Sequence, residues 1–521
     1  MDLPTITRRQ LLQSAALATA WAALSACTGN QPNTPHPPTP AQPTPLPANL
    51  MPATNAETHL LRRISFGPRP GDIDHVKSIG LAAYIEEQLN YETLSDSEER
   101  IANLTLLSAS PADLLAQLKA KQLNLNQVLG ELVSAKFLRA LYSPQQLREV
   151  MIDFWSDHFN IYALKSPDGV LKPADDRDVI RPHALGKFRD LLSASAHSPA
   201  MLLYLDNATS VARAPNENYA REIMELHTLS VNGGYTQLDV HEVARALTGW
   251  SVVGLQDAGR LGNAQVGRFL YRSAIHDNGA KTILGVNFPA NGGQAEGEKV
   301  LDLLAAQPAT AKFIAEKLCV RFVSDNPPAA IVDRTAATFA QTDGDIKAMV
   351  RTILTSDEFA AAIGQKYKRP FEFLVSALRA LSADISLDTS GGSQPGGGLR
   401  RNPVFQYLLA LGQVPFMWST PDGYPDKEVS WLSTNGLLHR WNFGLALATG
   451  VKGVSINSKA LVGPIQSNNE LVDRVAEVLL GAVMVDPQRA ILIDYARSVP
   501  DNLRLPGLLA LMVGSSQFQV R

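Results

Sequence analysis

Cysteine is almost missing: the 521-residue chain holds two, Cys27 and Cys319. If the first is modified, no internal disulfide can form, and the protein must be held together by its core alone. Basic clusters are missing too. The formal charge is -3 and Lys and Arg are scattered, whereas a phosphate backbone is gripped by a concentrated basic face, so no nucleic-acid partner is expected. No apolar run of about 18 residues follows the N-terminal region, so no spanning helix is expected there. The familiar catalytic patterns are absent as well. Gly249-Trp250-Ser251-Val252-Val253-Gly254 has its second glycine one place too late for a nucleophile elbow, and His241-Glu242-Val243-Ala244-Arg245 has arginine where a zinc helix needs its second histidine. No glycine-rich phosphate loop, dinucleotide fingerprint or haem-attachment motif occurs.

What is present begins with an address. Arg8-Arg9 precede a short apolar stretch from Leu11 to Leu24 that is rich in alanine. This is the layout of a twin-arginine export signal. Leu24-Ser25-Ala26-Cys27 resembles a lipoprotein box, which implies cleavage before Cys27, a lipid on its thiol, and a membrane-anchored protein facing the periplasm or cell exterior. Residues 1–26 read as the signal. Residues 27–53 read as a tether, because its prolines favour extended polyproline II, about 3.1 Å per residue, over packed elements.

Hydrophobic residues make up 45% of the chain and charged residues 19%, enough for a normal core. From residue 54 onward the 3.6-residue period dominates. The expected class is all-α: one large multi-helical domain over 54–521, in two lobes meeting near 290–300. Among the expected helices are Asp72 to Leu89, Pro144 to Phe159, Asp178 to Leu192, Asn218 to Leu229, Gly297 to Val323 and Ile346 to Leu354. One small β-hairpin is expected near 269–284, with Phe269-Leu270-Tyr271 pairing Thr282-Ile283-Leu284 across Asn278-Gly279. Ile353 to Phe359 and Met512 to Phe518 end alike, a hint of internal duplication.

Several segments are distinctive in this order: Arg62-Arg63-Ile64-Ser65-Phe66-Gly67, Phe154-Trp155-Ser156-Asp157-His158-Phe159, Asn216 to Ser230 with Gly233-Gly234-Tyr235-Thr236, Ala244 to Trp250, His276-Asp277-Asn278-Gly279-Ala280-Lys281, and Lys368-Arg369-Pro370. Together they resemble the bacterial family catalogued as domain of unknown function (DUF) 1800. The resemblance implies an exported helical protein, often encoded beside a second exported protein of the family catalogued as DUF 1501, which is the partner it suggests. It implies no activity and no catalytic residues.

The residues themselves allow a physical reading. On one helix from Asn218, the side chains of Asn218, Glu222 and Glu225 share a face. Two carboxylates a turn apart repel, so something must offset them. An ion-pair ladder through Glu217, Arg221 and Glu225 is one answer. A general acid/base site of Glu222, Glu225 and His227 is another, and a divalent ion held by His158, Glu222 and His276 a third. His227 is either a core histidine or a member of that site, and His158 either packs or takes part. Asp277 serves turn chemistry, Lys281 is expected in solvent, and Cys319 reads as a small buried hydrophobe. Two functions stay open: a metal- or carboxylate-dependent hydrolase acting on an envelope polymer, or a non-catalytic scaffold or binding protein for another exported protein.

Overall fold

In the computed structural model, residues 55–388, 399 and 401–521 are described; the export signal, Cys27 and the tether lie outside them. The chain is all-α with small two-stranded ribbons. The first main helices are α1 (Ala56–Ile64), α2 (Asp72–Ile79), α3 (Leu81–Leu89), α4 (Pro111–Lys119), α5 (Leu125–Tyr142) and α6 (Gln146–His158). The Asn55 side chain accepts from the Thr58 amide at 2.8 Å and starts α1. The expected Asp72–Leu89 helix is two, because Gly80 takes a φ of 87° between them. Expected helix Asp178–Leu192 is also broken. A π-helical turn at Asp176–Ile180 and a short turn with Pro182 precede α7 (Phe188–Ala196).

Next come α8 (Pro199–Tyr204), α9 (Glu217–Glu222) and α10 (Gln237–Ala246). Thr236 and Asp239 form a reciprocal capping box at the start of α10. The strands are β1 (Trp250–Val252), β2 (Phe269–Tyr271), β3 (Lys281–Ile283) and β4 (Val286–Phe288). Their pairing corrects the sequence expectation: β2 pairs with β1, and β3 with β4. Leu284 and Gly285 both take positive φ, 50° and 78°, the twist that closes a two-residue hairpin. Asn278-Gly279 instead follows an Asp277 side chain that accepts from the Gly279 amide at 2.8 Å.

The remaining main helices are α11 (Gln294–Ala305), α12 (Pro308–Phe322), α13 (Ala329–Gln341), α14 (Ile346–Leu354), α15 (Pro370–Ala380), α16 (Pro403–Leu411), α17 (Thr434–Thr449), α18 (Asn468–Leu480), α19 (Gln488–Ser498) and α20 (Asp501–Val513). Pro308 separates α11 from α12, where one helix was expected, since proline lacks the amide a continuous helix would use. The main core cluster runs from Leu60 to Phe518, on both sides of 290–300, with two small satellites around Ile101 and Val253. Cys319 is fully buried in it. Among the described residues no helix is long and apolar enough to cross a membrane.

The two look-alike segments do fold alike. After α14, Ser356 accepts from the Phe359 amide at 3.1 Å; after α20, Ser515 accepts from the Phe518 amide at 3.3 Å. The strand-like stretches that follow then meet: Lys368 donates its amide to Gln519 and Arg521 donates to Lys366, each at 2.8 Å.

Candidate functional site

The site grows from the C-terminal end of α6. Asp153 and Asp157 are four residues apart, so both carboxylates lie on one face. The Arg369 fork spans them, bonding Asp157 Oδ2 at 2.8 Å through Nη1 and Asp153 through Nη2. Lys136 adds a contact to Asp153 at 2.6 Å. Arg321 pairs with Glu372 and Asp426, Lys366 with Asp325 at 2.6 Å, and Arg521 with Glu372 at 3.4 Å. The result is a connected interior network of five acids (Asp153, Asp157, Asp325, Glu372, Asp426) and five bases (Lys136, Arg321, Lys366, Arg369, Arg521). Equal numbers of each sign let it sit inside the protein without a bare charge.

Neighbouring Arg62-Arg63 serve the same interior. Arg63 donates to the carbonyls of Phe322 and Val323 at the end of α12, at 3.2 and 3.0 Å, and Arg62 donates to Leu480. Those orphan carbonyls carry the negative end of the helix dipole.

The two aspartates differ in proton affinity. Burial works to raise that of Asp153, but Lys136, Arg369 and Arg321 overcome it and hold its pKa down at about 2. Burial, then the charge of Asp153, pushes Asp157 up to about 6. Asp157 keeps 18% of its side chain exposed, against 5% for Asp153.

Beside Asp157 lies a second group of ionisable residues with no such compensation. His158 is buried, with Nε2 3.1 Å from the His227 carbonyl and Nδ1 2.8 Å from Lys317 Nζ on α12. A carbonyl only accepts, so Nε2 carries the ring proton and Nδ1 offers a lone pair to Lys317. Burial, Lys317 and His227 together hold His158 well below the usual imidazole range. His227 is fully buried and held down at about 3 by burial and Lys317, and among the described residues neither of its ring nitrogens has a hydrogen-bond partner. Among the same residues the buried Tyr219 hydroxyl has none either, its ring 6.5 Å from that of His227.

His227 reaches this position through a break in helical register. The expected Asn218–Leu229 helix is α only as α9; Ile223–Thr228 is a π-helix, with the Leu229 amide bonding the Met224 carbonyl five residues back at 2.8 Å. The Thr228 hydroxyl donates to the Ile223 carbonyl at 2.6 Å. Turns of this kind recur at functional sites.

Glu222 and Glu225 remain neighbours. Burial, Glu225 and Asp422 raise the Glu222 carboxyl above the usual range, while Arg221 lowers it. The ladder is half-formed: Arg221 pairs with Glu217 at 3.3 Å, whereas Glu225 accepts from the Tyr235 hydroxyl at 3.2 Å.

A loop, Trp418 to Asp426, that sequence reasoning did not assemble packs against the end of α6. Thr420-Pro421-Asp422-Gly423 is a turn signal. Gly423 takes a φ of +71°, and a Cβ there would lie 2.0 Å from the Asp157 carbonyl oxygen. Only glycine lets the loop rest on the end of α6. Asn160 donates to the carbonyls of Trp418 and Thr420 at 3.0 and 2.7 Å, and Tyr204 donates to Ser419 at 2.9 Å. Asp422 accepts from Trp418 Nε1 at 2.9 Å, and its charge acts on both Glu222 and Lys317.

His276 belongs elsewhere. Its Nδ1 lies 2.8 Å from the Thr248 carbonyl and its Nε2 3.4 Å from Glu296. Lys281, expected in solvent, is buried against the same Glu296 at 2.6 Å, because the carbonyls of Asp277 and Gly279 also turn toward its ammonium. Among the described residues no group of three or more His, Cys, Asp and Glu side chains is arranged to hold a metal ion. His158, Glu222 and His276 therefore do not form one donor set; His158 faces Lys317 and the His227 carbonyl, Glu222 faces Glu225 and Asp422, and His276 serves the β3 ribbon. Glu222, Glu225 and His227 share one segment, but His227 turns into the core and the two carboxylates stay nearer the surface.

These features define an all-α protein with small ribbons, whose interior charge network borders, at Asp157, a cluster of ionisable groups (His158, His227 and Lys317) held without an ion-pair partner among the described residues. The family described as Protein of unknown function (DUF1800) matches residues 59–520, and the chain belongs to it. No match was found among curated proteins or among solved structures.

Proposed function

We propose that this is an exported, lipid-anchored envelope protein that hydrolyses a bond in an envelope polymer by carboxylate general acid/base catalysis at the C-terminal end of α6. One arrangement carries the reading: the Arg369 fork holds Asp153 and Asp157 side by side, with the charges around Asp153 keeping its carboxyl low while burial and Asp153 push that of Asp157 up. Paired carboxylates pushed apart in this way can divide acid and base roles. Asp157 supplies the proton to the leaving group. Glu222, raised by burial and by Glu225, takes the proton from water. His158 and His227 back the acid from inside.

The test is release of reducing ends from isolated sacculi and from surface polysaccharide by the purified protein. Asp157→Asn is expected to lower the rate about a hundredfold or more. Equal rates for both proteins, or no release by the wild type from either polymer, would remove the reading. The anchor is tested separately. Intact-mass analysis of the membrane-extracted protein is expected to find Cys27 as the N-terminal residue carrying diacylglycerol, and Cys27→Ser is expected to yield a protein free of membranes.

A second reading has its own support. Val429, Leu432, Leu438 and Trp441 are all exposed along the approach to and first turns of α17, and apolar side chains grouped in this way favour docking. On this reading the Asp157 cluster is secondary, and the protein presents that face to an exported partner such as the DUF 1501 protein the family resemblance suggests.

A further inference from the structure

We propose that Lys317 is an amine nucleophile that condenses with the carbonyl group of an aldehyde or ketone reaching its partly exposed side chain beside His158. The proposal rests on reading this cluster as an active site, but not on the hydrolytic step. Its basis is how differently this lysine is held. Lys136, Lys172, Lys281 and Lys366 each meet a carboxylate at 2.5–2.6 Å. Lys368 is sealed inside, its ammonium 3.7 Å from the centre of the Phe518 ring.

Lys317 differs from all of them. It is partly exposed, no carboxylate lies within ion-pair distance among the described residues, and its hydrogen bond runs to His158 Nδ1 at 2.8 Å. His158 in turn is fixed by the His227 carbonyl. A lysine facing a neutral acceptor instead of an anion keeps its ammonium poorly stabilised, which is how enzymes free an amine for attack. Burial holds the Lys317 ammonium down at about 8, against the opposing pull of Asp157, Asp426 and Asp422. The titratable and charged groups facing it are His158 and Asp157 from α6, His227 from the π turn, and Asp422 and Asp426 from the loop.

The step balances without a co-reactant. The amine lone pair forms a C–N bond to the carbonyl carbon while the C=O π pair moves to oxygen. One N–H proton passes to that oxygen, with His158 Nδ1 placed to relay it, giving a carbinolamine. The C–O bond then breaks, the second N–H hydrogen leaves with the oxygen as water, and a C=N bond remains.

The experiment treats the full chain with glyceraldehyde or pyruvate and sodium borohydride, followed by peptide mapping by mass spectrometry. Lys317 is expected to label about tenfold or more faster than any surface lysine near neutral pH, with its rate rising through a midpoint near pH 8. Lys317→Arg is expected to lose that adduct and keep the others. Labelling spread evenly over exposed lysines, or a Lys317 rate that rises only with ordinary amines, would overturn the proposal. Both readouts use the wild type, so a poorly folding variant does not spoil the test. Adduct formation without polymer release sinks the hydrolytic reading alone, and release without the adduct sinks this one alone.

Discussion

Two groups of ionisable side chains meet at Asp157, and they are built on opposite terms. Toward the interior, five acids and five bases neutralise one another around Arg369 and Glu372. On the other side of Asp157, Lys317, His158 and His227 stand together, and among the described residues no anion is bonded to any of them. The first arrangement is how a protein keeps charge inside safely. The second is unfavourable for folding, and such sites persist where chemistry needs them. The contrast teaches where to look: full compensation marks scaffolding, and its absence marks a working surface.

The comparison breaks most visibly at Arg369. Arg369→Ala leaves two aspartates buried without their shared partner and is expected to cost about 3–5 kcal/mol of stability, read by denaturant unfolding. A loss under about 1 kcal/mol would mean that water or rearrangement compensates the network. Next in size is Gly423→Ala, whose Cβ would collide with the Asp157 carbonyl. It is expected to cost about 1–3 kcal/mol and to impair any activity carried by Asp157. His227→Leu should act in the opposite sense. Replacing a buried, unpartnered polar ring by an apolar one is expected to leave stability unchanged or raise it by about 1 kcal/mol, while any turnover falls.

The same substitution sharpens the pH dependence. His227 and His59 are both held down at about 3. Between pH 6.5 and 3 the unfolded chain binds protons that the folded chain refuses, so stability is full above pH 6.5 and falls as pH drops through this window. His227→Leu is expected to flatten that fall by one histidine's share, measured as unfolding midpoint against pH. Smallest of all is Arg221→Ala on the exposed Glu217 pair, expected to change stability by about 0.5 kcal/mol or less.

Much of the helical frame was legible because apolar spacing and caps act locally; Ile346–Leu354 and Pro403–Leu411 carry both signals in their own residues. The breaks were less legible, although Gly80, Pro182 and Pro308 are their visible causes. Strand pairing was misread because Asn278-Gly279 looked like the hairpin turn, while Leu284 accepts positive φ in its place. Of the site, His158, Glu222, Glu225 and His227 were legible by residue type. Lys317 was not, since it lies 159 residues from the histidine it bonds and nothing in a helical run distinguishes it. The Asp153–Asp157 spacing and the Thr-Pro-Asp-Gly turn were readable in principle, but their junction is tertiary.

The wide turn at Ile223–Thr228 has a consequence for how such a site can arise or vanish. An α-helix and a π turn need the same residue types, and they differ by one extra residue in the coil. Deleting a single codon there would let an α turn close in its place, keeping the flanking helix faces but re-aiming the residues of the turn itself by up to about 100°, the angle one residue subtends on a helix. Glu225 and His227 would keep their chemistry and lose their aim. A gain or loss of function by that route would leave composition untouched, visible only as a length difference of one.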